Sequence, residues 1–528
     1  MGVAAKKSTP KKSLPASIAQ TLDVSRRRTP ELVIAFVGAA GSGVTSVADA
    51  FSKTLKKDFD YVPHKVKVSD FIKDYAQLSG KPIAQSLSKS DQIIQMQNTG
   101  NALRESRGSN HLAKLCIENI AQWRVNEQGY QASEDELEGQ KKLGPPLAKR
   151  WVHIINELKH PDEVKMLRDV YGDLFWLVAV LADEKSMERG LTKQQMSKVE
   201  AAEIIRRDEN EAHLFGQKVR DTVQLADYFI RNDPDHLKEL DAKALRFLDL
   251  IFNIQVVTPS IDEAGMSEAF AAAANSACLS RQVGAAAYSD NDELLGVGWN
   301  DVPRFGGGLY SSDDEEDNRC FAYGGGICHN DDRKDKLNDQ IAAALEGKGV
   351  LKTNIPRAEV VFALKTTDIR SLIEYSRSVH AEMAAILSVA RQGKAGLVSG
   401  TLYVTTFPCH SCARHIIAAG IHRVVYVEPY PKSLATELHD DALFSGFGES
   451  IAGKVQFEPY EGIAPRNIFR LFKHGIERKE DGKAKTLERA VADPVTKPPL
   501  DGFTVFEMVV VNELTEATKS TLDKARPE

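Results

Sequence analysis

His380-Ala-Glu382, followed twenty-eight residues after its histidine by Pro408-Cys-His-Ser-Cys412, constrains this chain more than any other stretch. One imidazole and two thiolates are ligands that zinc takes, and three protein ligands leave its fourth position open to water. Both halves of the pattern serve one ion, so the fold must bring them together. The sequence predicts a helix from His380, a strand at Thr401-Leu-Tyr-Val-Thr405 and a second helix from Cys409. Thiolates in a helix's first turn gain from the positive dipole end, which lowers their pKa and favours metal binding. Glu382, two positions past the histidine, can face an activated water without ligating. A carboxylate there can take the water's proton and hand it to a ring nitrogen and then to leaving ammonia. H-x-E paired with P-C-x-x-C is the pattern for hydrolytic removal of an amino group from a base. A closed structural site would need a fourth ligand; His410 and His415 are the nearest, and His410, between the cysteines, is expected to point elsewhere.

The beginning of the chain carries a different signal. Glu31-Leu-Val-Ile-Ala-Phe-Val-Gly38 is an apolar strand running into Gly38-Ala-Ala-Gly41-Ser-Gly43-Val44-Thr45, with helical sequence beyond. Such a turn lets backbone N–H groups wrap a phosphate at a helix N-terminus, so Gly38, Gly41, Gly43 and Thr45 are candidate nucleotide-binding residues. The position that should carry lysine is Val44, which removes the charge that normally bridges the outer phosphates. Thr45 or Ser46 could reach a magnesium ion held with a nucleotide. The expectation is a P-loop fold without phosphoryl transfer, serving as a regulatory or scaffolding domain. Arg206-Arg207-Asp208 falls where nucleotide kinases have a lid, and reads as a charged helix face.

Further strands are expected at Trp151–Ile155, Leu174–Val180 and Ala226–Ile230, alternating with helices as in a parallel sheet covered on both faces. At 528 residues the chain is too long for one typical core. We expect a basic, solvated tail over 1–30, a P-loop domain over 31–257, a zinc domain over 262–475 and a charged extension over 476–528. The zinc domain should open with an alanine-rich helix from Ser267 to Cys278, followed by paired strands at Val283–Ala287 and Glu293–Trp299. A Gly-rich, acidic insertion then runs from Gly306 to Asp317, whose carboxylates read as a solvated loop.

Formal charge is −6, which is not the footprint of a protein that grips long nucleic acid. Six cysteines in so long a chain make no disulfide framework and fit a reducing, cytoplasmic setting. No long apolar run suggests a membrane span. Cys320, Cys328 and His329 offer a second, structural zinc or stand as unliganded thiols; seven residues between the cysteines is not a standard knuckle spacing.

From Asn275 to about Phe472 the chain resembles the zinc-dependent deoxycytidylate deaminases. The residues that carry this are Cys278-Leu-Ser-Arg-Gln-Val-Gly-Ala285, Gly298-Trp-Asn-Asp-Val-Pro303, Ser378-Val-His-Ala-Glu382 and Thr405-Thr-Phe-Pro-Cys-His-Ser-Cys412. The insertion and Ile417-Ala-Ala-Gly-Ile421 with Val425-Tyr-Val-Glu-Pro-Tyr-Pro-Lys-Ser433 are similar to the bacterial anti-phage dCTP/dCMP deaminases, which carry an N-terminal P-loop kinase-like domain. The resemblance implies an α/β chain: a kinase-like parallel sheet, then a cytidine-deaminase-like α/β/α sandwich. It implies deamination of dCTP, dCMP or both to deoxyuridine nucleotides as phage defence, with Zn2+ on His380, Cys409 and Cys412 and Glu382 as the catalytic carboxylate. Asn300 would meet the deoxyribose and Arg281 the phosphates, where a planar fork suits bidentate contact. Lys432-Ser433 could also meet phosphate, though an exposed loop is the simpler reading. A homo-oligomer is the default expectation, and in some members an inhibitory RNA partner is implied. The competing reading is a deaminase of cytosine or adenine in single-stranded nucleic acid. That would need aromatic platforms in a basic groove, and no dense interleaving of the two is found near the motif.

Overall fold

The computed structural model describes residues 27–84, 86–130, 136–137, 140–141, 144–209, 216–232, 239–352, 355–430, 433–447, 451–473 and 477–525. The tail expected over 1–30 lies outside these as far as residue 26, and so does Lys432. The end of that tail packs on the fold: Thr29 is buried, Arg27 pairs with Asp501, and Arg28 bridges to Pro499.

Strand β1 (Leu32–Gly38) is buried along its whole length, as a central strand covered on both faces must be. With β2 (Val62–Lys67), β3 (Trp151–Asn156), β4 (Phe175–Leu181) and β5 (Tyr228–Arg231) it forms a parallel sheet in the order β2-β3-β1-β4-β5. Only β2 escaped the sequence reading. Half of its residues are polar and it includes Pro63, which an edge strand tolerates. Helix α1 (Val44–Asp58) follows the glycine-rich turn, α2 (His111–Asn126) packs near β2, and α3 (Lys198–Glu209) carries Arg206-Arg207-Asp208.

The second unit opens with α4 (Ile261–Ala273), six residues earlier than the alanine-rich pattern suggests. The physical reason is a capping box: the Ser260 hydroxyl accepts from the Glu263 N–H while the Glu263 carboxylate accepts from the Ser260 N–H. Strands β6 (Gly284–Tyr288) and β7 (Leu294–Trp299) form an antiparallel hairpin. β8 (Thr401–Thr406) pairs antiparallel with β6 and parallel with β9 (Arg423–Glu428). With β10 (Leu443–Ser445) and β11 (Val455–Pro459) the sheet order becomes β10-β11-β9-β8-β6-β7. Between the Gly306–Asp317 insertion and His380 stand two helices that the sequence reading did not place, His329–Gly347 and Arg357–Leu364. Helix α5 (Ala381–Arg391) covers β7, and α6 (His410–Ala418) follows β8.

The chain then returns to the first sheet. β12 (Gly462–Ile463) pairs antiparallel with β5, and α7 (Leu500–Ala525) packs against α2. That return is fastened by buried charge: the Arg124 guanidinium, fully enclosed, donates to the carboxylates of Glu31 and Glu507. Among the described residues no helix is long and apolar enough to cross a membrane.

Candidate active site

Two helix starts converge on one point. His380 is the N-cap of α5 and Cys409 the N-cap of α6, whose third residue is Cys412. The Cys409 sulfur accepts the Cys412 N–H, so the α6 start is shaped around it. His380 presents Nδ1 to both thiols, 3.4 Å from Cys409 Sγ and 3.3 Å from Cys412 Sγ. A tetrahedral zinc with bonds of roughly 2.1 Å to nitrogen and 2.3 Å to sulfur sets N···S separations of about 3.6 Å, so the donors fit the ion. Among the described residues this trio forms the one group of three such side chains close enough to share a metal. His410 faces Glu374 at 4.0 Å and His415 Nδ1 donates to the Ser411 carbonyl, so neither supplies a fourth ligand.

The ligand side chains shift one another's acidity. The hydrogen bond with Cys412, then that with His380, pulls the Cys409 thiol down to about 4. The same bond and burial push the Cys412 thiol up. His380 is raised to about 9, chiefly by its bond to Cys409. Burial raises Glu382, which is 5% exposed, so this carboxyl holds a proton more readily than an ordinary glutamic acid.

α5 can place Glu382 here because the hairpin beneath it has no side chain in the way. A Cβ at Gly298 would stand 2.2 Å from the Ala385 nitrogen and 2.5 Å from the Ala381 carbonyl oxygen. The glycine at the end of β7 therefore sets how closely helix and sheet approach.

These groups lie in a cavity of about 450 Å3, within the roughly 300–1,000 Å3 of small-molecule sites. Both expected substrate residues line it. Arg281 is half exposed, 3.4 Å from Glu428, with its guanidinium 5.9 Å from the Tyr430 ring centre. Asn300 is buried, and its amide is engaged with backbone: Oδ1 accepts from the Val283 N–H and Nδ2 donates to the Arg281 carbonyl. It holds the 281–283 turn against the pocket, which the sequence reading had not assigned to it. Ser433 bonds the Pro408 carbonyl and does not line the cavity.

The second zinc is not supported. Among the described residues Cys320, Cys328 and His329 do not come within ligand distance as a group; all three line the cavity instead. Cys328 caps the helix His329–Gly347 and lies 3.4 Å from the Ser280 hydroxyl. The sequence reading also missed three cations on the wall, Lys334, Arg370 and Arg377. Arg377 lies over the Tyr323 ring at 4.1 Å, and its Nη1 is buried without a hydrogen-bond partner among the described residues. Its place three residues before His380 was the available signal.

The P-loop turn has its expected backbone, with Gly41 at φ +83° and Gly43 at φ +80°, leading into α1. Nothing there supports magnesium: Thr45 is exposed, and no cluster of metal ligands forms around it among the described residues. The segment reads in sequence as a charged helix face, but Asp208 on it is 2% exposed and bonded to the turn itself.

Residues 259–428 match the family model described as the cytidine and deoxycytidylate deaminase zinc-binding region. Over 55 residues the chain is 46% identical to the deoxycytidylate deaminase of Enterobacteria phage T2, covering 10% of this chain and 29% of the phage protein. Over 68 residues it is 41% identical to the ComE operon protein 2 of Bacillus subtilis (strain 168), covering 13% of this chain and 35% of that protein. The chain thus spans about a third of the length of the curated relatives it matches. Among solved structures, a dCMP deaminase from the cyanophage S-TIM5 in complex with dCMP and dUMP is 19% identical, covering 39% of this chain and 99% of its own, with a TM-score of 0.23. A shikimate kinase from Acinetobacter baumannii is 13% identical, covering 45% of this chain and 98% of its own, with a TM-score of 0.22. Those scores carry no inference about activity.

Proposed function

We propose that this chain hydrolyses the amino group from the cytosine ring of free deoxycytidine nucleotides, dCMP, dCTP or both, giving deoxyuridine nucleotides and ammonia. The observation that carries the reading is the trio His380, Cys409 and Cys412 beside a buried Glu382 on a cavity whose wall bears Arg281, Lys334, Arg370 and Arg377. Three ligands fit zinc and leave room for water; when bound, zinc supplies the positive charge that acidifies that water.

The chain's own groups handle the rest. Glu382 takes the proton of the attacking water and delivers it to the ring nitrogen next to the reacting carbon. A second transfer through the same carboxylate goes to the amino nitrogen, which leaves as ammonia while the carbon keeps the oxygen as a carbonyl. Burial suits Glu382 to this, because a raised pKa lets it hold each proton between transfers. Arg377 Nη1, without a hydrogen-bond partner among the described residues, can donate to an anion, and Arg281 offers a fork of the shape phosphate takes. Asn300 keeps the 281–283 turn, and with it Arg281, against the cavity.

Glu382→Ala retains zinc and loses ammonia release by about 10²- to 10⁴-fold; undiminished turnover would refute the role. A panel of dCMP, dCDP, dCTP, CTP and a cytosine-containing oligonucleotide, scored for uracil, tests the substrate class, and activity on the oligonucleotide alone would overturn it. The resemblance adds a purpose: draining deoxycytidine nucleotides starves phage replication. Cells carrying the chain should then plate fewer phage than cells carrying Glu382→Ala, and equal plating removes the defensive role.

A further inference from the structure

The glycine-rich turn is already engaged by a carboxylate. The Ala40 N–H, within that turn, donates to Asp208 Oδ2 at 2.8 Å. Lys159 donates to the same oxygen at 2.6 Å and to the Gly38 carbonyl at 2.9 Å. Gln97 Nε2 holds the other carboxylate oxygen at 3.2 Å. An anion thus sits on the turn with a lysine beside it, and that lysine comes from the loop after β3, not from the position that Val44 occupies.

Two enclosed side chains at the turn await a ligand. Ser42 is 1% exposed and Asn232 6%; among the described residues Ser42 Oγ and Asn232 Oδ1 have no hydrogen-bond partner. The Asn232 amide nitrogen donates to the Ser42 carbonyl, which keeps both groups at the turn. Nor do the N–H groups of Gly41 and Gly43 find a backbone acceptor among the described residues. The segment that carries Asp208 also helps to cover the turn: its Ala201, Ile204 and Ile205 join Met187 and Leu191 of the helix Glu184–Thr192 in one apolar cluster, with Ala39 and Ala40 packed against it.

We propose that residues 38–45 form a phosphate-chain site rebuilt around Lys159, which Asp208 holds closed by standing in for the phosphate. Lys159 supplies the charge that Val44 lacks. A phosphate chain binds by displacing the carboxylate, and the 198–208 segment is released as it does so. The closed state costs affinity in proportion to its population, because the apparent Kd is the intrinsic Kd divided by the open fraction.

The test uses the full chain with inorganic tripolyphosphate and, separately, GTP as probes, followed by calorimetry. Asp208→Asn removes the competing charge with little change of shape. It should tighten tripolyphosphate binding by about 100-fold, the factor lifted when a competent state rises from roughly 1% to most of the population. Adding Lys159→Met should abolish the gain. Equal binding by wild type and Asp208→Asn, or a gain that survives Lys159→Met, overturns the proposal. GTP binding no more tightly than tripolyphosphate makes the site a polyphosphate site; tighter GTP binding makes it a nucleotide site. A measurement without variants guards against a misfolded Asp208→Asn. In wild type, saturating tripolyphosphate should slow amide exchange over 39–46 and speed it over 198–208. No change in either segment overturns the proposal.

Discussion

Gly298→Ala is the sharpest probe of how the fold positions the active site. The added methyl would lie 2.2 Å from the Ala385 backbone nitrogen, where ordinary contact begins at 3.4 Å. Neither partner is a flexible side-chain end, so α5 must retreat from β7 by about 1.2 Å at that point. Ala385 is one turn along from Glu382 on the same helix, so the retreat carries the carboxylate with it. A misplacement of about 1 Å costs catalysis roughly 10²-fold, and overpacking a filled interface costs about 1–3 kcal/mol of stability. His380 caps the same helix, so zinc should also be held less tightly. The assay is kcat/KM for uracil formation, with metal content and a melting curve on the same preparation. Wild-type kcat/KM together with a wild-type melting temperature would refute the reasoning, since α5 would then not rest on Gly298 as described.

Arg124→Met leaves the Glu31 and Glu507 carboxylates buried without their common cation, and breaking a buried pair in this way costs about 3–5 kcal/mol; urea unfolding should show it, and an unchanged midpoint would mean that the network is dispensable. Burial, then its neighbour His153, lowers His64 to about 3, and burial, then Arg107 and Lys114, lowers His111 to about 4. Both therefore stay neutral when folded but take up protons in the unfolded chain below about 6.5. Their stabilisation is complete above that pH and is lost as pH falls towards 4; His111→Asn should flatten the fall in urea midpoint over that window, and an identical pH profile would count against it. Removal of the metal with a chelator should make Cys409 and Cys412 reactive to a thiol reagent and lower the melting temperature, because a ligand of the folded state alone stabilises it. Unaltered thiol counts after metal loss would place the ion elsewhere.

Much of the site was legible because its ligands belong to local motifs. A histidine at a helix N-cap and cysteines at the N-cap and third position of another helix need only short-range geometry, and both helices start where the residues suggest. The glycine turn after β1 was readable for the same reason. Alanine content places the α4 start at Ser267, whereas the capping box of Ser260 and Glu263 starts it at Ile261. Arg370 and Arg377 lie in a stretch before His380 with no repeating pattern, and only the closing of the cavity gives them a common target.

Residue order decided the chemistry available: two thiolates, an imidazole, a carboxylate beside them, and a phosphate-type turn without its lysine. Tertiary structure decided what those parts face. Asp208 meets Ala40 across 168 residues of chain and Arg124 meets Glu507 across 383. Neither pairing has a local signature, because a charged side chain in a helix looks the same in sequence whether it meets water or a partner from a distant segment. Burial separates the two cases, and burial belongs to the folded chain as a whole.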